Sequence, residues 1–271
     1  MQGLSKQRAL ESLRARIETI EKRPPLADAA GGTIGASEGL FVLPPGLLHE
    51  VFTDTQRNGG AALGFALATA RGLVTAARPA ILILQLSRDT QDMGLPYGAG
   101  LSSFGIDPQS VVLGRMETAT DLLWAIEEAI ACRAVAAVIA EVAHETKVLD
   151  FTASRRLTLR ATAGGASVFL LRYGEEREAS AARLRWRVEP ALSGETMFDA
   201  RAPSHPRWRV ELEKGRLGSR RDPVEWMLDW SENGFVLVEP GGRQQAAADA
   251  AGAPLPGALP AALGNRLSEA G

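Results

Sequence analysis

Three short runs, Ala80–Leu86 (AILILQL), Val135–Ala140 (VAAVIA) and Ala166–Leu171 (ASVFLL), are almost wholly apolar and too short for buried helices. A strand with one wet face alternates polar and apolar residues, so unbroken runs of this length demand cover on both faces of a sheet. The segments around them have helical grammar. Ala61–Thr75 is apolar nearly all round, and Phe151–Ala163 follows the second run. Thr118–Asp121 has the spacing of a helix start, ahead of Leu122, Ile126 and Ile130 at four-residue intervals. With Leu47–Phe52 and Val111–Leu113 as further strands, strand and helix alternate, which predicts an α/β fold with a mostly parallel sheet flanked by helices.

The grammar changes after Arg177. Arg183–Val188 (RLRWRV) and Trp208–Leu212 (WRVEL) alternate with period two, and Trp226–Trp230 and Phe235–Val238 flank a Ser-Glu-Asn-Gly turn, so the sheet is expected to end in antiparallel strands. Leu10, Leu13, Ile17 and Ile20 give residues 1–25 the apolar stripe of an amphipathic helix, a candidate partner-binding or oligomerisation element. Residues 26–39 are too poor in large apolar side chains to fold alone and read as a linker to a core at 40–240. Residues 241–271, loaded with Ala, Gly and Pro, read as a tail. No apolar run approaches a membrane span and no signal core opens the chain, so a cytoplasmic protein with no membrane partner is expected.

Composition excludes other classes. One cysteine, Cys132, and three scattered histidines rule out an internal disulfide and the usual zinc sites, so no metal is expected. Cys132 reads as a small hydrophobe on the buried side of a helix end, and His144 beside Glu145 as a solvated side chain. The chain carries 30 basic and 32 acidic residues, yet Arg155–Arg221 holds 15 basic against 8 acidic ones. That local surplus fits a polyanion, an acidic partner, or neither, the arginine excess of a GC-rich genome being the plain alternative. Arg183, Arg185, Arg207 and Arg209 are the candidate DNA contacts. The tryptophans among them, Trp186, Trp208, Trp226 and Trp230, sit at strand spacing and read first as packing anchors, with base stacking as the alternative.

A strand, a glycine-containing loop and a buried helix in that order mark the place where a P-loop holds phosphates. Here the loop is TDTQRNGGAALGF: Thr53, Asp54, Asn58, Gly59 and Gly60 occupy it, with neither the lysine nor the magnesium-binding hydroxyl. Each missing charge-assisted bond is worth roughly 1.5–3 kcal/mol, so no bound nucleotide cofactor is expected. Glu141, ending an apolar strand, stands where a Walker B carboxylate would orient a metal; the simpler reading is an acid that pairs with an arginine or caps a helix. Beyond Ala80–Leu86 stand Gln85, Ser87 and Arg88, which supply no general base. No catalytic residue emerges.

The succession Gly46-Leu-Leu-His-Glu-Val51, the helix before VAAVIAEV, and the run ASAARLRWRV, RWRVELEKGRLG, DPVEWMLDWSENGF resembles the RecA-fold family, and within it the ImuA branch of bacterial SOS mutagenesis proteins. The likeness spans about residues 40–240. It implies a RecA-like core with a degenerate P-loop, in which Tyr173–Ala179 is a shortened counterpart of a DNA-binding loop. It also implies a non-catalytic accessory role in damage-induced translesion synthesis. The implied partners are ImuB, an inactive Y-family polymerase homologue, and an error-prone C-family DNA polymerase; RecA, weak DNA binding and a homo-oligomer are further candidates. The competing readings are a SulA-like inhibitor of cell division and an atypical RecA-like DNA-dependent ATPase.

Overall fold

A computed structural model describes residues 33–34, 41–143, 147–194, 202–215, 217 and 225–238. The amphipathic segment carrying Leu10, Leu13, Ile17 and Ile20, the pair His144 and Glu145, and the tail 241–271 lie outside them. Two short strands, β1 (Thr33–Ile34) and β2 (Phe41–Val42), pair antiparallel with each other. All other strands belong to one nine-stranded sheet: β3 (Leu48–Thr53), β4 (Ala80–Leu86), β5 (Val111–Met116), β6 (Val135–Val142), β7 (Ser167–Tyr173), β8 (Leu184–Ala191), β9 (Arg207–Lys214), β10 (Glu225–Ser231) and β11 (Gly234–Val238).

Its order is β11-β10-β9-β8-β3-β7-β6-β4-β5. The six strands from β8 to β5 run parallel, and β9, β10 and β11 complete the sheet as an antiparallel meander. The architecture is therefore α/β ending in antiparallel strands as expected, though β8 still runs parallel to β3 and the direction changes only after it, and it is compatible with a RecA-like fold. Among the described residues no helix is long and apolar enough to cross a membrane.

The helices are α1 (Gly59–Arg71), α2 (Thr90–Met93), α3 (Gly98–Ser103), α4 (Ala119–Ala131) and α5 (Phe151–Gly164). Helix α1 lies on one face of the sheet and buries Phe65 and Leu67 in a core with Val51, Phe169, Trp186 and Trp208. Helices α4 and α5 cover the other face, where Leu122, Ile126 and Leu157 pack on Leu84, Val138 and Leu170. All eight residues of β6 are buried, as a strand sandwiched between helices must be.

Local chemistry sets the helix ends. The Thr118 hydroxyl accepts the Asp121 backbone N–H at 3.1 Å, and the Asp150 carboxylate accepts that of Ala153 at 2.7 Å. Helix α5 stops at Gly165, whose φ of 80° suits glycine. Arg78 then donates to the Gly164 carbonyl at 2.6 Å and to the Val135 carbonyl at 2.8 Å, tying that end to β6.

The four tryptophans of β8, β9 and β10 are packing anchors. Trp186, Trp208, Trp226 and Trp230 are all buried, and with Phe65, Phe104 and Phe235 they form tilted and edge-on ring pairs 5.3–6.3 Å apart. Trp208 donates to the Ala61 carbonyl and Trp230 to that of Ser103, each at 3.0 Å. Cys132 corrects the sequence reading. It follows the last turn of α4 in extended conformation (φ −76°, ψ 122°), which turns it out of the helix and leaves it exposed.

Candidate functional site

At the C-terminal end of the parallel strands, where open α/β sheets place their ligands, β3 runs through a 3-10 turn at Gln56–Asn58 into the first turn of α1. Asn58 makes no side-chain cap, and no acidic residue stands in that turn. Two side chains of this chain approach the first residue of α1. A Cβ on Gly59 would lie 2.6 Å from Met93 Cε and 3.1 Å from the Tyr173 hydroxyl oxygen. Met93 closes α2 in the connection after β4, and Tyr173 closes β7. Both therefore converge on the helix start from the strands on either side of β6. That close approach favours glycine at 59, with the Met93 methyl the mobile end of its side chain; Gly60 meets nothing within 4 Å.

Glu141, on β6, completes the cluster. It is buried and, among the described residues, pairs with no arginine and caps no helix, contrary to the simpler sequence reading. Gln85 Nε2 donates to Glu141 Oε2 at 2.5 Å, and the Tyr173 hydroxyl donates to Glu141 Oε1. Gln85 also reaches the Gly94 carbonyl at 3.2 Å, which fixes the end of the α2 segment over the site. Burial, then the negative charge of Glu141, the hydrogen bond to it and the charge of Asp89 push the Tyr173 phenol well above its ordinary range. The phenol therefore acts as a fixed donor. With both its oxygens engaged, Glu141 offers no oxygen free of a protein donor for metal or water.

Sequence reasoning named Glu141 and Gln85 but missed Tyr173, Met93 and the buried Asp89. Nothing in spacing reveals that the last residue of β7 faces the penultimate residue of β6. Asp54 in the loop pairs with Arg187 and, at 3.6 Å, with Arg177. Thr53 is buried, and its hydroxyl makes no hydrogen bond. No group of histidine, cysteine and carboxylate side chains that would hold a metal occurs among the described residues. His49 is enclosed on β3, where burial lowers its pKa to about 3. It stacks on Phe169 at 4.4 Å and accepts the Trp186 indole N–H at Nδ1, 3.3 Å away.

The candidate DNA contacts share the sheet face opposite the tryptophans. Arg185 is paired with the buried Glu50 at 2.8 Å. Arg207 makes a two-pronged pair with Asp229, one prong at 2.7 Å. Arg209 lies 3.2 Å from Glu225 and 3.9 Å from Glu189. Arg183 makes no ion pair among the described residues. Arg172, Arg177 and Arg185 crowd the Phe52 ring, with guanidinium carbons 5.7, 4.1 and 5.5 Å from its centre.

The segment after β7 is stitched down at several points. Arg172 holds Glu178, Arg177 holds Glu213 and the Gly174 carbonyl, Lys214 reaches the Ser180 carbonyl, and Ser154 and Thr158 bind Ala181. Much of the local basic surplus thus meets carboxylates on neighbouring strands, an arrangement for holding segments together more than for presenting open charge.

No family model matches the sequence. Among curated proteins, the chain is 32% identical over 204 residues to Protein ImuA of Caulobacter vibrioides strain NA1000 / CB15N. It matches Protein ImuA of strain ATCC 19089 / CIP 103742 / CB 15 equally. Each alignment covers 71% of this chain and 78% of the relative.

Proposed function

The chain belongs to the ImuA family, and from that premise we propose that it is a non-catalytic adaptor in the ImuA/ImuB mutagenesis system. Its core is a RecA-like scaffold with a degenerate P-loop, and it works by joining proteins at damaged DNA. Its partners are an ImuB-type inactive polymerase homologue and an error-prone C-family polymerase.

One observation carries this reading. Gly59, the first residue of α1, is covered by Met93 and Tyr173, and the Walker B-like Glu141 accepts from Gln85 and that same tyrosine. The loop has no lysine to hold a terminal phosphate. A triphosphate that displaced the phenol would leave a buried carboxylate with one oxygen unsatisfied, a cost of about 1–3 kcal/mol with no P-loop lysine to offset it.

The adaptor reading is tested by ATPase turnover with and without single-stranded DNA, alongside co-purification with the two polymerase-like partners. It expects background turnover and a stable complex. DNA-stimulated hydrolysis, or the absence of any complex, contradicts it.

A further inference from the structure

Where the chain entering β8 lies against α5, positive charge outnumbers its carboxylate partners among the described residues. Arg185 of β8 stands directly opposite Lys214 of β9, at a register shift that sets two residues of β9 against one of β8. Arg183, two residues before Arg185, shares its side of the chain. Like charges directly opposite destabilise a sheet. Glu50 neutralises Arg185; among the described residues Lys214 makes no ion pair and donates to the Ser180 carbonyl at 2.5 Å, and the buried Nε of Arg183 has no hydrogen-bond partner. Nearby carboxylates are taken, Glu178 by Arg172 and Glu213 by Arg177. Burial, then the charge of Arg185 and of Arg183, pushes the Lys214 ammonium down, with Glu50 partly offsetting it. Burial likewise lowers Arg183.

The same seam exposes apolar side chains. Ser154 and Thr158 of α5 hold Ala181 at 3.0 and 2.9 Å, which brings the chain leading to Arg183 against that helix. Their sequence neighbours Arg155 and Leu159 lie with Phe151 on one exposed row, four residues apart. Phe151 is 49% and Leu159 54% exposed. Helix α5 contains Arg155, Arg156 and Arg160 and no acidic residue. Glu127 of α4 pairs with Arg156 and Arg160, while Arg155 makes no ion pair among the described residues.

We propose that this seam, formed by Phe151, Arg155 and Leu159 of α5 with Arg183 and Lys214 beside them, docks an acidic amphipathic segment of a partner protein. The inference deepens the adaptor reading and rests on it. Acidic side chains of such a segment would meet the three cations, and its apolar side chains would cover Phe151 and Leu159. Aromatic residues and arginine side by side are the composition of interface centres. A phosphodiester chain would satisfy the cations and leave Leu159 without a complement. The chain's own N-terminal amphipathic segment is the wrong sign, with Lys6, Arg8, Arg14, Arg16, Lys22 and Arg23 against Glu11, Glu18 and Glu21.

The test titrates the full-length chain by calorimetry against the ImuB-type homologue of the same genome, at low and high salt. Arg155→Glu and Lys214→Glu should each weaken binding at least tenfold and flatten its salt dependence. Leu159→Ser should weaken it severalfold, and Arg115→Glu, at the opposite edge strand, should not change it. Lys214→Gln should weaken binding while raising the melting temperature, since it removes the clash with Arg185; a merely structural lysine would lower both. Wild-type affinity in all the seam variants overturns the inference and leaves the adaptor reading standing. No binding by the wild-type chain overturns both. Loss of binding to a 25-residue oligo(dT), with partner affinity intact, makes the seam a nucleic-acid surface and also overturns the inference.

Discussion

Replacing Tyr173 with phenylalanine removes one oxygen and keeps the ring over Gly59, so it isolates the hydrogen bond to Glu141 from the filling of the site. That bond joins a neutral donor to a buried carboxylate, a class worth roughly 1.5–3 kcal/mol. Glu141 is 5% exposed, and its second oxygen already accepts from Gln85, so water has little access to replace the phenol. For a chain of this size each kcal/mol moves the melting temperature about 2–4 °C, so Tyr173→Phe should lower it by about 3–12 °C. Glu141→Gln weakens the same contact from the other side. The double variant should then be less destabilised than the sum of the singles, with a coupling of at least about 1 kcal/mol. Calorimetric melts of the wild type, both singles and the double give the four corners of the cycle. A coupling under about 0.5 kcal/mol, or a neutral Tyr173→Phe, refutes the view that phenol and carboxylate lock each other over the helix start.

The remaining predictions are independent of that cycle. Because the folded state keeps the Tyr173 proton where an unfolded tyrosine, near 10, ionises, stability should fall as pH rises past about 10, by up to about 1.4 kcal/mol per unit. In Tyr173→Phe that alkaline slope should be absent from urea melts. His49 gives the acid counterpart. Its folded pKa of about 3 lies below the unfolded 6.5, so its share of stability is complete above about 6.5 and is lost progressively as pH falls toward 3, by up to about 1.4 kcal/mol per unit. A His49→Phe variant should lose that dependence in the same melts. Arg185→Ala leaves Glu50 buried and unpaired and should cost about 3–5 kcal/mol by chemical denaturation, whereas Arg209→Glu at a half-exposed site should stay within about 1 kcal/mol. Glu141→Ala should leave damage-induced mutagenesis intact in a complementation assay, wherever the variant accumulates to wild-type levels.

Much of the fold was legible because burial on both faces writes itself into a strand. AILILQL coincides with β4, and VAAVIA marks β6 to within two residues of its end. Period-two alternation likewise announced β8 and β9, with tryptophans inward and arginines outward. What the sequence could not reveal depends on register. The partners of Arg185, Arg207 and Arg209 lie on other strands, up to 135 residues away for Arg185 and Glu50. An excess of arginine therefore looked like open charge until the pairing was known. The same holds for Tyr173: a tyrosine at a strand end carries no sign of facing a carboxylate and a glycine that belong to different elements. Edge strand β5 ran three residues beyond its apolar start, to Met116, because Gly114 and Arg115 break the run while the ladder to β4 continues. Cys132 was misread because helical periodicity was carried one residue too far.

The central claim, that the chain fills its own phosphate cradle, is tested most directly by titrating the full-length protein with Mg-ATP in a calorimeter. The account predicts no saturable heat at millimolar nucleotide and no shift in melting temperature. Saturable micromolar binding, with a nucleotide-dependent rise in melting temperature, would contradict it.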